Sequence, residues 1–235
     1  MPKRYREIKM PAPYLRRLWL DTSRVADREA YPFCLPFLRD GFDLTFDHAI
    51  TIIVGENGTG KSTLLEGIAA LAGYDEAGGG KGYRPVDHSQ ALELMGSELA
   101  KALKAAWLPK LTNGWFFRAE SFFSVARYLD EAARGAGGEP RSRQGLYIFD
   151  EPESALSPTR QVEFLKLLRR MDQSGICQVL MVTHAPMLMA YPNARLLRLT
   201  KYALEPVRLE DTEHFRLMRE FCADPAGFVE GMMEA

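Results

Sequence analysis

Nine consecutive residues, Gly55, Glu56, Asn57, Gly58, Thr59, Gly60, Lys61, Ser62 and Thr63, carry the spacing Gly-x-x-x-x-Gly-Lys-Ser. Each type has a chemical reason to be there. Glycines reach backbone torsions that a Cβ forbids, so successive N–H groups can converge on one anion. Lys61 places a full positive charge where the terminal phosphates of a nucleotide would lie, and the Ser62 hydroxyl is of the kind that ligates Mg²⁺. The flanks agree. Ile50–Val54 is a continuous β-branched run, as in a strand buried on both faces. After the loop, Leu64, Leu65, Ile68 and Leu71 recur at helical spacing over Lys61–Leu71. A strand, a glycine loop and a helix N-terminus in that order are what phosphate binding requires.

Two further places hold chemistry. Leu146–Phe149 is apolar and runs directly into Asp150 and Glu151. A buried strand seldom ends in adjacent acids unless they have partners. Beside a triphosphate, Asp150 would hold Mg²⁺ through water and Glu151 would orient or deprotonate the attacking water. The plain alternative is a helix-capping turn, because Ser157 and Pro158 follow at the positions of an N-cap and a first helical residue. His184 comes after the next apolar run, Val179–Thr183, where a neutral imidazole would bridge the terminal phosphate and the catalytic carboxylate.

The elements that must position these groups alternate. Leu15–Leu20 and Phe42–Phe46 read as strands of an antiparallel meander. Ser89–Trp107 reads as a helix with Leu92, Met95, Leu99 and Leu103 inward, Trp115–Phe117 as a short strand and Ser121–Ala133 as a helix. Gly73–Gly82 and Ala133–Gly145 are glycine-rich loops. A helix runs from Ser157 to about Met171, strands cover Ile176–Val182 and Ala194–Leu199, and Thr212–Met233 is helical with a break near Asp224–Pro225. Apolar strands alternating with helices predict an α/β fold: a mostly parallel sheet flanked by helices, with an antiparallel N-terminal edge. Its ligands sit beyond the carboxyl ends of the strands. The 235 residues read as one domain, 1–235.

Composition narrows the partners. Thirty Lys+Arg against 31 Asp+Glu give a net charge of -1, which argues against a generally basic nucleic-acid coat. The basic arm at 1–17, with Lys3, Arg4, Arg6, Lys9, Arg16 and Arg17 against Glu7, is the one feature that admits nucleic acid as a partner. The three cysteines and four histidines show no zinc spacing. No apolar run approaches the length of a membrane span, and no leader is evident, so a cytoplasmic location is expected.

With these motifs placed, the chain resembles the ABC-type ATPase heads, and more closely the small bacterial stand-alone ATPases often labelled AAA-type, relatives of SMC and RecF-like heads. The resemblance rests on VGENGTGKSTLLEGIA (Val54–Ala69), FFRAESFF (Phe116–Phe123), LYIFDEPESALSP (Leu146–Pro158), VTHAPMLMAYPNARLLRL (Val182–Leu199) and DTEHF (Asp211–Phe215). The acid block followed by THAP is ABC-like rather than typical of hexameric AAA+ motors. The resemblance implies ATP and Mg²⁺ as cofactors. Lys61 and the loop would bind the β- and γ-phosphates, Ser62 and Asp150 the metal; Glu151 would activate water and His184 sense the γ-phosphate. Ser154–Ser157 would form the loop that crosses between two heads. Glu120 sits where such heads carry a glutamine, and Tyr31 and Phe33 are candidates to stack on adenine.

The same family carries a serine-glycine signature before the acid pair, which completes the opposite head's ATP site. Phe122–Arg134 contains none, and Gly135–Pro140 lies too close to Asp150 to serve; the segment at 133–145 looks shortened. Three functions follow as expectations: an ATP-hydrolysing head that acts as a homodimer or with a partner head supplying the signature; an ATP-sensing regulatory module with little turnover; and a transporter's ATP-binding subunit.

Overall fold

A computed structural model describes residues 10–39, 41–75, 78–81, 96–111, 113–118 and 144–234. The order of its main elements is β1 (Leu15–Leu20), α1 (Pro36–Arg39), β2 (Asp43–Thr45), β3 (Ile50–Val54), α2 (Lys61–Ala72), α3 (Gly96–Ala102), β4 (Leu103–Trp107), β5 (Gly114–Phe117), β6 (Gly145–Asp150), α4 (Pro158–Ser174), β7 (Cys177–Val182), α5 (Pro186–Met189), β8 (Ala194–Leu199), β9 (Leu204–Pro206), α6 (Glu213–Ala223) and α7 (Pro225–Glu234).

The strands form two sheets. The larger has the order β5-β6-β7-β3-β8-β9 and is parallel except for β9, which pairs antiparallel with β8. β3, β6 and β7 are buried along their whole length, because helices cover both sides. Their alternation therefore sorts residues between two cores rather than between core and water. Ile53, Leu146, Ile148, Leu180 and Val182 face the core shared with α2 and α3. Ile50, Ile52, Phe149, Val179 and Met181 face the core shared with α4 and α5. α4 begins at Ser157, whose side chain accepts from the Arg160 N–H, has Pro158 in its first turn, and stops at Gly175 in the left-handed region. It buries Phe164, Leu167, Leu168 and Met171. Phe164 packs edge-on against Phe149, which stacks on Phe117, with ring centroids 5.0 and 4.8 Å apart.

The antiparallel N-terminal part is a separate sheet of order β2-β1-β4. Its third strand corrects the expectation of one helix over Ser89–Trp107: α3 ends at Ala102, and Leu103–Trp107 pairs with β1. The residues LKAAW suit either state, and pairing with β1 is a tertiary contact that local propensity does not register. Residues 89–95 lie outside the described residues. The glycine-rich stretch after α2 is also less loop-like than expected, since Gly79 exchanges backbone hydrogen bonds with Phe116.

One buried side chain staples the sheets together. Gln178, on β7 and fully buried, accepts from the Tyr14 and Leu15 N–H groups at 2.8 Å each, and its amide donates to Leu15 O at 3.0 Å. Such a group is favourable only with all its partners present.

Candidate functional site

The register of the parallel sheet decides which chain segments meet. Val182 of β7 lies beside Ile53 of β3 on one side and beside Asp150 of β6 on the other. The residues just beyond that row, Gly55 onward, Thr183 and His184, and Glu151, therefore leave the sheet at the same edge. This is the carboxyl-terminal edge, where ligands of open α/β sheets bind.

The phosphate loop turns on glycines in the left-handed region. Gly60 has φ +93°, and a Cβ there would sit 2.8 Å from a Leu35 methyl and 3.0 Å from the Phe37 ring. At Gly55 a Cβ would come within 2.8 Å of the Leu199 carbonyl. Both glycines are thus required by close approach as well as by torsion. Glu56, Asn57 and Gly58 form the exposed tip, and the Thr59 hydroxyl closes it by donating to Glu56 O at 2.8 Å. α2 starts at Gly60 without a side-chain cap, so its first-turn N–H groups remain available to an anion. Lys61 is buried, and its ammonium donates to the carbonyls of Gly55 at 2.8 Å and Glu56 at 2.7 Å. Burial pushes its pKa below the ordinary lysine value, against the opposing pull of Glu151, Asp150, Glu153 and Glu56.

Asp150 is buried, and its Oδ1 accepts from the Ser62 hydroxyl at 3.1 Å. Two hard oxygens from separate elements, side by side next to the phosphate cradle, fit Mg²⁺, which takes one or two protein ligands and completes its octahedron with phosphate and water. No cluster of three His, Cys, Asp or Glu side chains suited to a metal occurs among the described residues. A metal here would be shared with a nucleotide rather than caged by protein.

Glu151 has φ +48°, the left-handed region in a residue with a side chain. Its N–H donates to Val182 O at 3.0 Å, which pins the main chain to β7 while the torsion swings the chain off the sheet. Strain of this kind, of order 1–2 kcal/mol, persists where surrounding contacts over-determine the backbone. Glu151 Oε1 lies 3.4 Å from His184 Nε2. Both side chains are part-exposed, and the His184 Nε2 atom itself is buried with no hydrogen-bond partner.

The fold also adds two residues that the motifs alone did not single out for this site. Glu153 lies in the turn after the acid pair. Its carboxylate accepts from the Thr183 hydroxyl at 2.8 Å and from the His184 backbone N–H, which ties the turn after β6 to the turn after β7. His214, the second residue of α6, places its Nε2 2.8 Å from His184 Nδ1. Its presence in DTEHF was the one available signal. Burial first, and then the adjacent His184 ring, hold His214 below the ordinary histidine pKa; Lys61 adds to this and Glu213 opposes it.

Other expected positions separate. The Tyr31 hydroxyl hydrogen-bonds the Thr63 hydroxyl at the start of α2, whereas Phe33 is half-buried against the core beside α2. Ser154 and Ser157 are exposed. Glu120, the stretch 122–134 and the GAGGEP segment lie outside the described residues.

Several known proteins are similar to this chain. A family model described as an AAA domain matches residues 34–97, which contain the phosphate loop. The zinc import ATP-binding protein ZnuC of Alkalilimnicola ehrlichii is 28% identical over 151 residues, covering 57% of this chain and 57% of that protein. The sn-glycerol-3-phosphate import ATP-binding protein UgpC of Bartonella quintana is 24% identical over 221 residues, covering 79% of this chain and 63% of that protein. The matches thus span 57% and 63% of these two relatives' lengths. Among solved structures, the SMC head domain from Thermotoga maritima aligns with a TM-score of 0.44 at 14% identity, covering 83% of this chain and 100% of that one. The fold and the phosphate loop define an ATP-binding P-loop domain. With these matches, the chain is similar to ABC-type ATP-binding proteins. No helix among the described residues is long and apolar enough to cross a membrane.

Proposed function

We propose that this domain, read as a single head over its whole length, binds ATP with Mg²⁺ and hydrolyses it to ADP and phosphate. The observation that supports this most is the meeting of Lys61, Ser62, Asp150, Glu151 and His184 at one sheet edge, from three separate strand ends. In this reading the loop N–H groups and Lys61 hold the β- and γ-phosphates, exchanging the carbonyl contacts of the ammonium for phosphate oxygens. Ser62 and Asp150 hold Mg²⁺, which neutralises developing charge on the phosphates when bound. Glu151 takes a proton from the attacking water, and His184 donates to the γ-phosphate. The part-exposed Glu151 side chain leaves that side open to water, as suits a head whose site is closed by a second head.

A second reading has its own observation. The sequence between Phe122 and Arg134 holds no serine-glycine pair, so closure by two identical heads lacks its usual contact. The domain is then an ATP sensor with little turnover, unless a partner head supplies the signature. The relatives' names, which describe import ATP-binding proteins, keep a transporter subunit as a third role. Steady-state phosphate release by the purified chain, with Glu151→Gln as control, separates these. Turnover that disappears in the variant supports the hydrolase. Binding of ATP without Glu151-dependent turnover overturns it in favour of the sensor.

A further inference from the structure

His214 takes no part in the reaction proposed above, yet it touches the residue assigned to the terminal phosphate. The His184 and His214 rings are tilted at 50° with centroids 4.9 Å apart, and they meet nitrogen to nitrogen at 2.8 Å. A neutral imidazole has one N–H and one lone pair. Of the two facing nitrogens, therefore, one donates and the other accepts. If His184 Nδ1 were the donor, its Nε2 would turn a lone pair toward the Glu151 carboxylate 3.4 Å away, and toward any phosphate oxygen arriving there. If His214 Nε2 is the donor, His184 carries its proton on Nε2, facing acceptors. The second arrangement is electrostatically consistent. It also accounts for a buried Nε2 without a protein hydrogen-bond partner, which is a donor waiting for a ligand oxygen.

We propose that His214 is a positioning residue: it donates from Nε2 to His184 Nδ1 and so fixes the tautomer in which His184 presents an N–H to the γ-phosphate. This rests on the proposed role of His184. His184 is then held at two points, its backbone N–H by Glu153 and its ring Nδ1 by His214. His214 is itself placed by the start of α6, where the buried Thr212 caps the helix by accepting from the Phe215 N–H at 3.4 Å.

The test uses the full chain with ¹⁵N-labelled histidine. The His184 ring signals are assigned by their loss in His184→Gln. Without nucleotide, His184 is expected to be protonated at Nε2 in the native chain and to become a tautomer mixture in His214→Leu. In His214→Gln, whose amide can donate to Nδ1, the Nε2–H form is expected to return. In turnover, His214→Leu should lower kcat by about tenfold, from the loss of the fixed ring orientation together with part of the Nε2–H population. ATP affinity should stay within about threefold, and His214→Gln should recover most of kcat. A native His184 protonated at Nδ1 overturns the proposal, as does a His214→Leu chain with unchanged His184 signals, or a His214→Gln chain as impaired as His214→Leu. Should the native chain show no turnover dependent on Glu151, the hydrolase reading fails, while the ring signals still decide the role of His214.

Discussion

The phosphate cradle and the acid–histidine side of the site are built by different means. The cradle is local: strand, loop and helix run continuously from Ile50 to Ala72, and Lys61 is held by carbonyls five and six residues before it. The opposite side is assembled from the ends of β6 and β7 and the start of α6, with hydrogen bonds spanning 30 and 31 residues of sequence. Lys61 and Asp150 are buried, whereas Glu151 and His184 are part-exposed. Holding a phosphate therefore needs only a short piece of chain. In the proposed reaction, acting on it needs three separate elements to be correctly placed, and this side should be the more sensitive to distant change.

The largest effect expected on that contrast is Glu151→Gln. It should reduce phosphate release by about 10²–10⁴-fold, the usual worth of a general base, and leave ATP affinity within about threefold. Lys61→Ala should act from the other side. In the proposed role of Lys61, losing its charge should weaken ATP binding by about ten- to a hundredfold in a titration, with turnover falling in parallel. A variant pair in which Glu151→Gln weakened binding as much as Lys61→Ala would erase the distinction between the two halves.

Stability sharpens it further. Gly60→Ala puts a Cβ 2.8 Å from Leu35 at φ +93°, so thermal melting should show a loss of about 1–3 kcal/mol with ATP binding impaired. Glu151→Gly should do the reverse on the other side. It relieves a left-handed torsion and should raise stability by up to about 1 kcal/mol while abolishing turnover. That outcome would mark the torsion at Glu151 as strain kept for chemistry.

The smallest effect concerns pH. His214 has a folded-state pKa below its ordinary value of 6.5. As pH falls through about 6.5, the unfolded chain takes up a proton that the folded chain resists, so His214 contributes a decline in stability from there downward. Melting temperatures between pH 7 and 5 should fall less steeply in His214→Gln than in the native chain.

Much of this was legible in residue order. The β-branched run Ile50–Val54, the glycine spacing and the leucines of α2 report on neighbours within one or two turns, and the strand, loop and helix appear as the sequence indicates. The acid pair was visible because two carboxylates at the end of LYIF are anomalous for a buried strand. Leu103–Trp107 reads as helix in sequence because its strand state depends on β1, more than eighty residues earlier. Gln178 showed nothing in sequence, since its three hydrogen bonds reach residues 14 and 15.

What the sequence determined by itself is the chemistry available: a loop able to cradle phosphate, oxygens for a hard cation, a candidate base and a histidine. Each depends on residue type and short-range spacing. What only the tertiary structure decided is which of these groups meet. The register that sets Ile53, Val182 and Asp150 in one row carries Glu151 to His184, and the return of the chain to α6 brings His214 against the same ring. Such contacts are made by sheet pairing and helix docking between distant segments, and no local pattern of residues encodes them.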